Sequence, residues 1–233
     1  MLVRRISQYR FDFVPKNNII ERPTPVLFIS GEGLHARVWE KTARYLCERG
    51  YSSSSIELPT LSPPYDVYKS VDFLQETIVA NKFTPPILVT HSVSSFLAQK
   101  FLESYSASAL ILIDPVPPLH NDYMKKLIAH YNHASTSVDY YNSNHTDKFH
   151  LDRFPIDYLQ YLCNDSTITV SLESGVIPML VVSSEENEDS NVIQDFHRID
   201  ASNTTLVPSS NRLAMFQSEF FHKLLYHWIE ENT

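Results

Sequence analysis

Glycine is the scarce residue of this chain: there are 4 in 233 residues, at Gly31, Gly33, Gly50 and Gly175, where an average composition would supply about 7%. Turns and close backbone approaches must therefore be made with other residues almost everywhere. Cysteine is rarer still. Cys47 and Cys163 stand far apart and without metal-ligand spacing, which leaves no disulfide framework or zinc site to expect and fits a reducing compartment. No apolar run is long enough to cross a bilayer. None near the N-terminus reads as a secretory signal, so the sequons at Asn144, Asn164 and Asn203 are taken as chance. Positive charge is also in deficit, with 19 Lys and Arg against 27 Asp and Glu and a net charge of -8. Nucleic acid and anionic membrane are therefore not expected as general partners.

What is present is a globular composition, 43% hydrophobic and 12% aromatic with 13 Phe and 13 Tyr, in a length that suits one α/β domain. The opening ten residues carry three arginines and no acid, in the manner of a mitochondrial presequence. Tyr9, Phe11 and Phe13 nevertheless alternate with Arg10 and Asp12, which is the period of a half-buried strand. The expected location is intracellular, cytoplasmic or mitochondrial.

Along the chain, strand and helix signals alternate. Val26 to Ile29 is an apolar run ending at Ser30-Gly31-Glu32-Gly33, and a helix follows with Val38, Trp39, Thr42, Ala43 and Leu46 on one side and Gly50 to stop it. Tyr51 to Leu58 is a weaker strand signal because of its serines. Val67, Val71, Leu74 and Ile78 mark a second helix. The run Ile87-Leu88-Val89 breaks at Thr90-His91-Ser92-Val93-Ser94-Ser95 and resumes at helical spacing with Leu97, Ala98, Phe101 and Leu102. That pattern is a strand, a sharp turn and a helix. A serine at such an apex is lifted out of the sheet beside the N–H groups that open the helix, although Ser92, Ser94 and Ser95 would also serve simply as helix caps.

Ala109 to Ile113, closed by Asp114-Pro115, is a further strand. Residues 119 to 173 then lose the rhythm and read as an insertion, with helical pieces near Met124 to Tyr131 and Ile156 to Leu162. Ile177 to Val182, a short helix near Val192 to Phe196, Thr204 to Val207 and a last helix striped by Phe220, Phe221, Leu224, Leu225, Trp228 and Ile229 complete the chain. Strands alternating with helices predict βαβ units, a parallel sheet and right-handed crossovers.

In order and spacing these pieces resemble the α/β-hydrolase superfamily over nearly the whole chain, as a single domain spanning 1–233 with a helical cap inserted at about 119–173. Ser30-Gly31-Glu32-Gly33 followed by Trp39 resembles the family's oxyanion loop. His91-Ser92 falls where the nucleophile elbow G-x-S-x-G belongs. Val207-Pro208-Ser209-Ser210-Asn211-Arg212 resembles the segment whose usual form is Pro-Gly-x-Gly-His. The resemblance implies a central, mostly parallel sheet flanked by helices, with Ser92 as nucleophile and the backbone around Gly31, Glu32 and Val93 as oxyanion and substrate-binding donors. It puts an acid within Glu185 to Asp189, nearest Glu186 or Asn187.

The departures from the family point one way. Arg212 occupies the histidine position, and a guanidinium does not lose its proton in a protein, so it cannot serve as a base. Thr90 and Ser94 replace the elbow's glycines, and Ser30 replaces the histidine of the oxyanion loop. The expectation is a hydrolase-like protein that has lost catalysis, a pseudoenzyme binding a small acyl-type ligand or a protein partner, with no cofactor and no metal. The alternative is an active ester, thioester or amide hydrolase using Ser92 with a relocated base, for which His120, His130, His133, His145 and His150 in the cap are the candidates. His91 is expected to point away from Ser92 by strand alternation.

Overall fold

The structure, a computed structural model, describes residues 2–7, 10–16, 19–31, 34–58, 63–83, 85–116, 125, 128–129, 156–164, 177–184, 203–207, 216 and 218–233. Eight strands form one sheet: β1 (Leu2–Ser7), β2 (Arg10–Val14), β3 (Val26–Ile29), β4 (Ser53–Ile56), β5 (Ile87–His91), β6 (Ala109–Ile113), β7 (Met179–Ser184) and β8 (Asn203–Val207). Their order is β1-β2-β4-β3-β5-β6-β7-β8. The pairings of β2 with β1 and with β4 are antiparallel, and every other pairing is parallel. The described helices are α1 (Glu40–Cys47), entered through a 3₁₀ turn at Ala36–Trp39, then α2 (Val67–Ala80), α3 (Val93–Leu102), α4 (Ile156–Asn164) and α5 (Glu219–Asn232).

The central strands are almost entirely apolar because both faces of the sheet are covered. Every residue of β3, β5 and β6 is buried. On one face Leu27, Ile29, Leu88, Leu110 and Leu112 pack with Val71 and Leu74 of α2, Phe96 and Phe101 of α3, and Tyr158 and Leu162 of α4. On the other, Phe28, Val89 and Ile111 pack with Trp39, Leu46 of α1, and Phe221, Leu225 and Ile229 of α5. Each such side chain fully buried stabilises the fold by roughly 1.5–3 kcal/mol relative to exposure. By contrast, β2 alternates, burying Phe11 and Phe13 and leaving Arg10 and Asp12 half-exposed. This fits the period-2 reading, and the arginine-bearing opening at Leu2–Ser7 pairs beside it as β1.

The weak strand signal at Ser53-Ser54-Ser55 is nonetheless a strand, with all three serines buried. Hydroxymethyl groups are small enough for the sheet interior, and the ladders to β2 and β3 on either side satisfy the backbone there. Gly50 stops α1 as expected. Its φ is +99°, and a Cβ would come within 2.3 Å of the Ile20 carbonyl oxygen, so only glycine fits that approach. Asp66 caps α2 by accepting from the Tyr68 N–H at 2.9 Å.

The sheet order creates the site. From β3 the chain moves to β4 on one side, then returns across to β5 on the other. The C-terminal ends of β3 and β5 therefore flank a topological switch point, the place where open α/β sheets leave a crevice. Ser30-Gly31 closes β3 and Ser92 closes β5.

Candidate active site

Ser92 sits between β5 and α3 with φ 52° and ψ -123°, a region that glycine favours and that costs a side-chain-bearing residue roughly 1–3 kcal/mol. The parallel ladder with β6 continues into the turn, so the Ser92 N–H donates to the Ile113 carbonyl at 3.0 Å. The Ser92 carbonyl accepts from the Ser95 N–H at 2.9 Å and from the Ser95 hydroxyl. The Ser92 hydroxyl itself makes no capping bond to α3. Capping therefore does not account for the serine at this position, and Ser95 lies inside α3, where its hydroxyl donates to the Ser92 carbonyl. Val93 opens α3, its N–H at the positive end of the helix, where developing negative charge is stabilised.

The two positions where a glycine is usual are filled without opening the turn. Thr90 is fully buried, with its hydroxyl 3.5 Å from the Ile111 carbonyl. Ser94 donates its hydroxyl to the carbonyl of Ser30 at the end of β3. Both side chains are thus directed at neighbouring backbone carbonyls.

His91 follows the alternation of its strand. Its ring is buried on the α1 and α5 face, T-shaped against Phe216 at 5.2 Å between centroids. It lies so close to the end of β3 that a Cβ on Gly31 would fall 2.3 Å from its Nδ1. Gly31 is required here by packing. The stack continues from Phe216 to Trp39 at 4.7 Å and from Trp39 to Phe28 at 5.1 Å, offset and edge-on geometries that aromatic rings prefer.

One acid near the elbow was read from sequence only as the end of a strand. Asp114 follows Ile113, and Ile113 is in register with His91 across β5 and β6, so Asp114 stands beside Ser92 at the same level of the sheet. It is fully buried, its φ is +42°, its N–H donates to the Val182 carbonyl at 2.8 Å, and its Oδ1 lies 3.4 Å from the Ser183 hydroxyl. The available signal was a lone acid closing a five-residue apolar strand.

Of the residues singled out from sequence, Gly31, Ser92 and Val93 are brought to this crevice. Glu32, Glu185 to Asp189 and Arg212 lie outside the described residues, as do the cap histidines and most of 119–173, the short helix near Val192 to Phe196, and Gly33 and Gly175. Among the described residues no group of three or more His, Cys, Asp and Glu could hold a metal ion, and no helix is long and apolar enough to cross a membrane.

Comparison of the coordinates with solved structures decides the architecture. MenH from S. aureus superposes with a TM-score of 0.68 over 97% of this chain and 99% of its own, at 12% identity. A thermophilic esterase from Thermogutta terrifontis gives 0.70 over 95% and 92%, at 15% identity. The chain has the α/β-hydrolase fold. A hydrolase from Oleispira antarctica, at 0.67 over 92% and 93% with 15% identity, adds the same result. No family model and no curated protein sequence matches. Within this α/β-hydrolase fold β5 is central, as expected, between β3 and β6. Ser92 stands at its C-terminal end, before α3 and next to Gly31, rather than within a regular helix.

Proposed function

We propose that this protein keeps the α/β-hydrolase fold to hold a small acyl-type ligand over Ser92, beneath a cap formed by 119–173, without hydrolysing it. The observation that carries this reading is the direction of His91. The one histidine adjacent in sequence to Ser92 packs against Gly31 and Phe216 on the far face, and the sequence has Arg212 where the resemblance calls for a base. A guanidinium keeps its proton in a protein and so does not activate a serine hydroxyl, which is a weak nucleophile unless a base does so. An acid within Glu185 to Asp189, nearest Glu186, then pairs with Arg212 as a remnant of the triad. A protein partner on the cap and a mitochondrial or cytoplasmic location belong to the same reading. That an esterase is among the structural neighbours supports an acyl-type ligand.

One observation favours the second reading, an active ester, thioester or amide hydrolase. Ser92 retains its strained φ of 52°, and strain of that kind persists most often where it serves function. Labelling with a fluorophosphonate probe, with the adduct sited by mass spectrometry, separates the two. The binding reading expects no rapid adduct on Ser92. Fast stoichiometric modification there requires an activated hydroxyl and would establish the second reading.

A further inference from the structure

A contiguous path of buried rings joins the first turn of α5 to the backbone beside Ser92. His222, on α5 and 7% exposed, donates from Nε2–H to the Phe216 carbonyl at 3.0 Å; the carbonyl can only accept, so this nitrogen carries the proton. The Phe216 ring, 1% exposed, meets Trp39 and His91. The His91 ring in turn occupies the space that Gly31 leaves by having no Cβ. We propose that His222 is a proton-sensitive latch: neutral, it holds Phe216 seated against His91, and protonated, it lets that seat loosen and shifts the backbone at Gly31 and Ser92.

The surroundings of His222 disfavour its charged form. Its ring lies 5.6 Å from Tyr45 of α1 and 6.2 Å from Phe221. Burial lowers its pKa, and Lys41 of α1 adds to this, while the Phe216 carbonyl and Glu219 oppose it. Glu219 is exposed and paired with Lys223 at 2.7 Å. Arg49 stacks over Tyr45 at 3.5 Å and lies 5.4 Å from the Tyr226 ring one turn along α5. A new charge in this place is relieved by turning the ring toward water, which draws Nε2 away from the Phe216 carbonyl. The proposal holds whether or not Ser92 turns over a substrate.

The experiment follows the His222 ring proton, the Trp39 indole N–H and the Gly31 amide by NMR between about pH 8 and pH 5, the range of histidine titration. In the wild type the Gly31 and Trp39 resonances are expected to move with the same midpoint as His222, below 6.5. In His222→Gln, which keeps a donor for the Phe216 carbonyl and cannot titrate, both stay flat. In Phe216→Leu, His222 still titrates and the Gly31 amide no longer follows. A Gly31 amide that stays still while wild-type His222 titrates overturns the proposal. So does one that moves with an unchanged midpoint in either variant, and if His222→Gln does not fold, the wild type and Phe216→Leu decide.

Discussion

The hydroxyl of Ser94 donates to the backbone carbonyl of Ser30, tying the first turn of α3 to the end of β3. Where the elbow motif has glycine, this chain has a side chain that replaces close backbone approach with a hydrogen bond. Ser94→Ala leaves the Ser30 carbonyl buried and short of that partner, a loss of about 1–3 kcal/mol. Urea denaturation is expected to show a lower midpoint with an unchanged slope.

Gly31→Ala is expected to destabilise by about 1–3 kcal/mol, because overpacking forces neighbouring groups to shift. The new Cβ would lie 2.3 Å from His91 Nδ1 and 3.0 Å from the His91 carbonyl oxygen. The ring is held by Phe216 and cannot swing freely. Adding His91→Ala should recover part of the loss, and a thermal-melt cycle of the two single variants and the double variant measures the coupling.

Stability should depend on pH through His222, whose pKa in the folded protein is lowered from 6.5, chiefly by burial. The unfolded chain then takes up the proton first, so the contribution is fully present above the unfolded value. It is lost as pH falls from there through the lower folded value. Urea midpoints at about pH 7.5 and pH 5.5 should differ less in His222→Gln than in the wild type.

Cys47 is fully buried on α1, and burial pushes its thiol up to about 11. The thiolate is the reactive species. Iodoacetamide near neutral pH is expected to leave Cys47 unmodified in the folded protein and to alkylate it once urea unfolds the chain, as read by peptide mass spectrometry.

Arg212→His places an imidazole at the position that the resemblance gives to the base. A positioned base typically contributes 10²–10⁴-fold, roughly, in rate. The variant is expected to show a small turnover of an activated ester that vanishes when Ser92→Ala is added. A folded variant without any gain would locate a second loss in the elbow, where Thr90 and Ser94 stand, or in the oxyanion loop.

Much of the architecture follows from local pattern. The apolar runs at Val26–Ile29, Ile87–Val89 and Ala109–Ile113 are short and bounded by turn residues, which reads as strands buried on both faces, and the amphipathic stripes between them read as covering helices. The switch from strand to helix at Ser92 was readable because the periodicity changes there. Ser53–Ile56 was hard to read because serine carries little strand propensity, and its place depends on β2 and β3 lying on either side.

The sequence by itself therefore determined the succession of elements and the turn from strand to helix at Ser92, since each is a property of neighbouring residues. Only the tertiary structure decided that His91 seats against Gly31 and Phe216, that Ser94 reaches Ser30, and that Asp114 stands beside Ser92. Those relations join residues far apart in the chain. They arise from the pairing of β5 with β3 on one side and β6 on the other, and a strand's own residues do not say which strands become its neighbours.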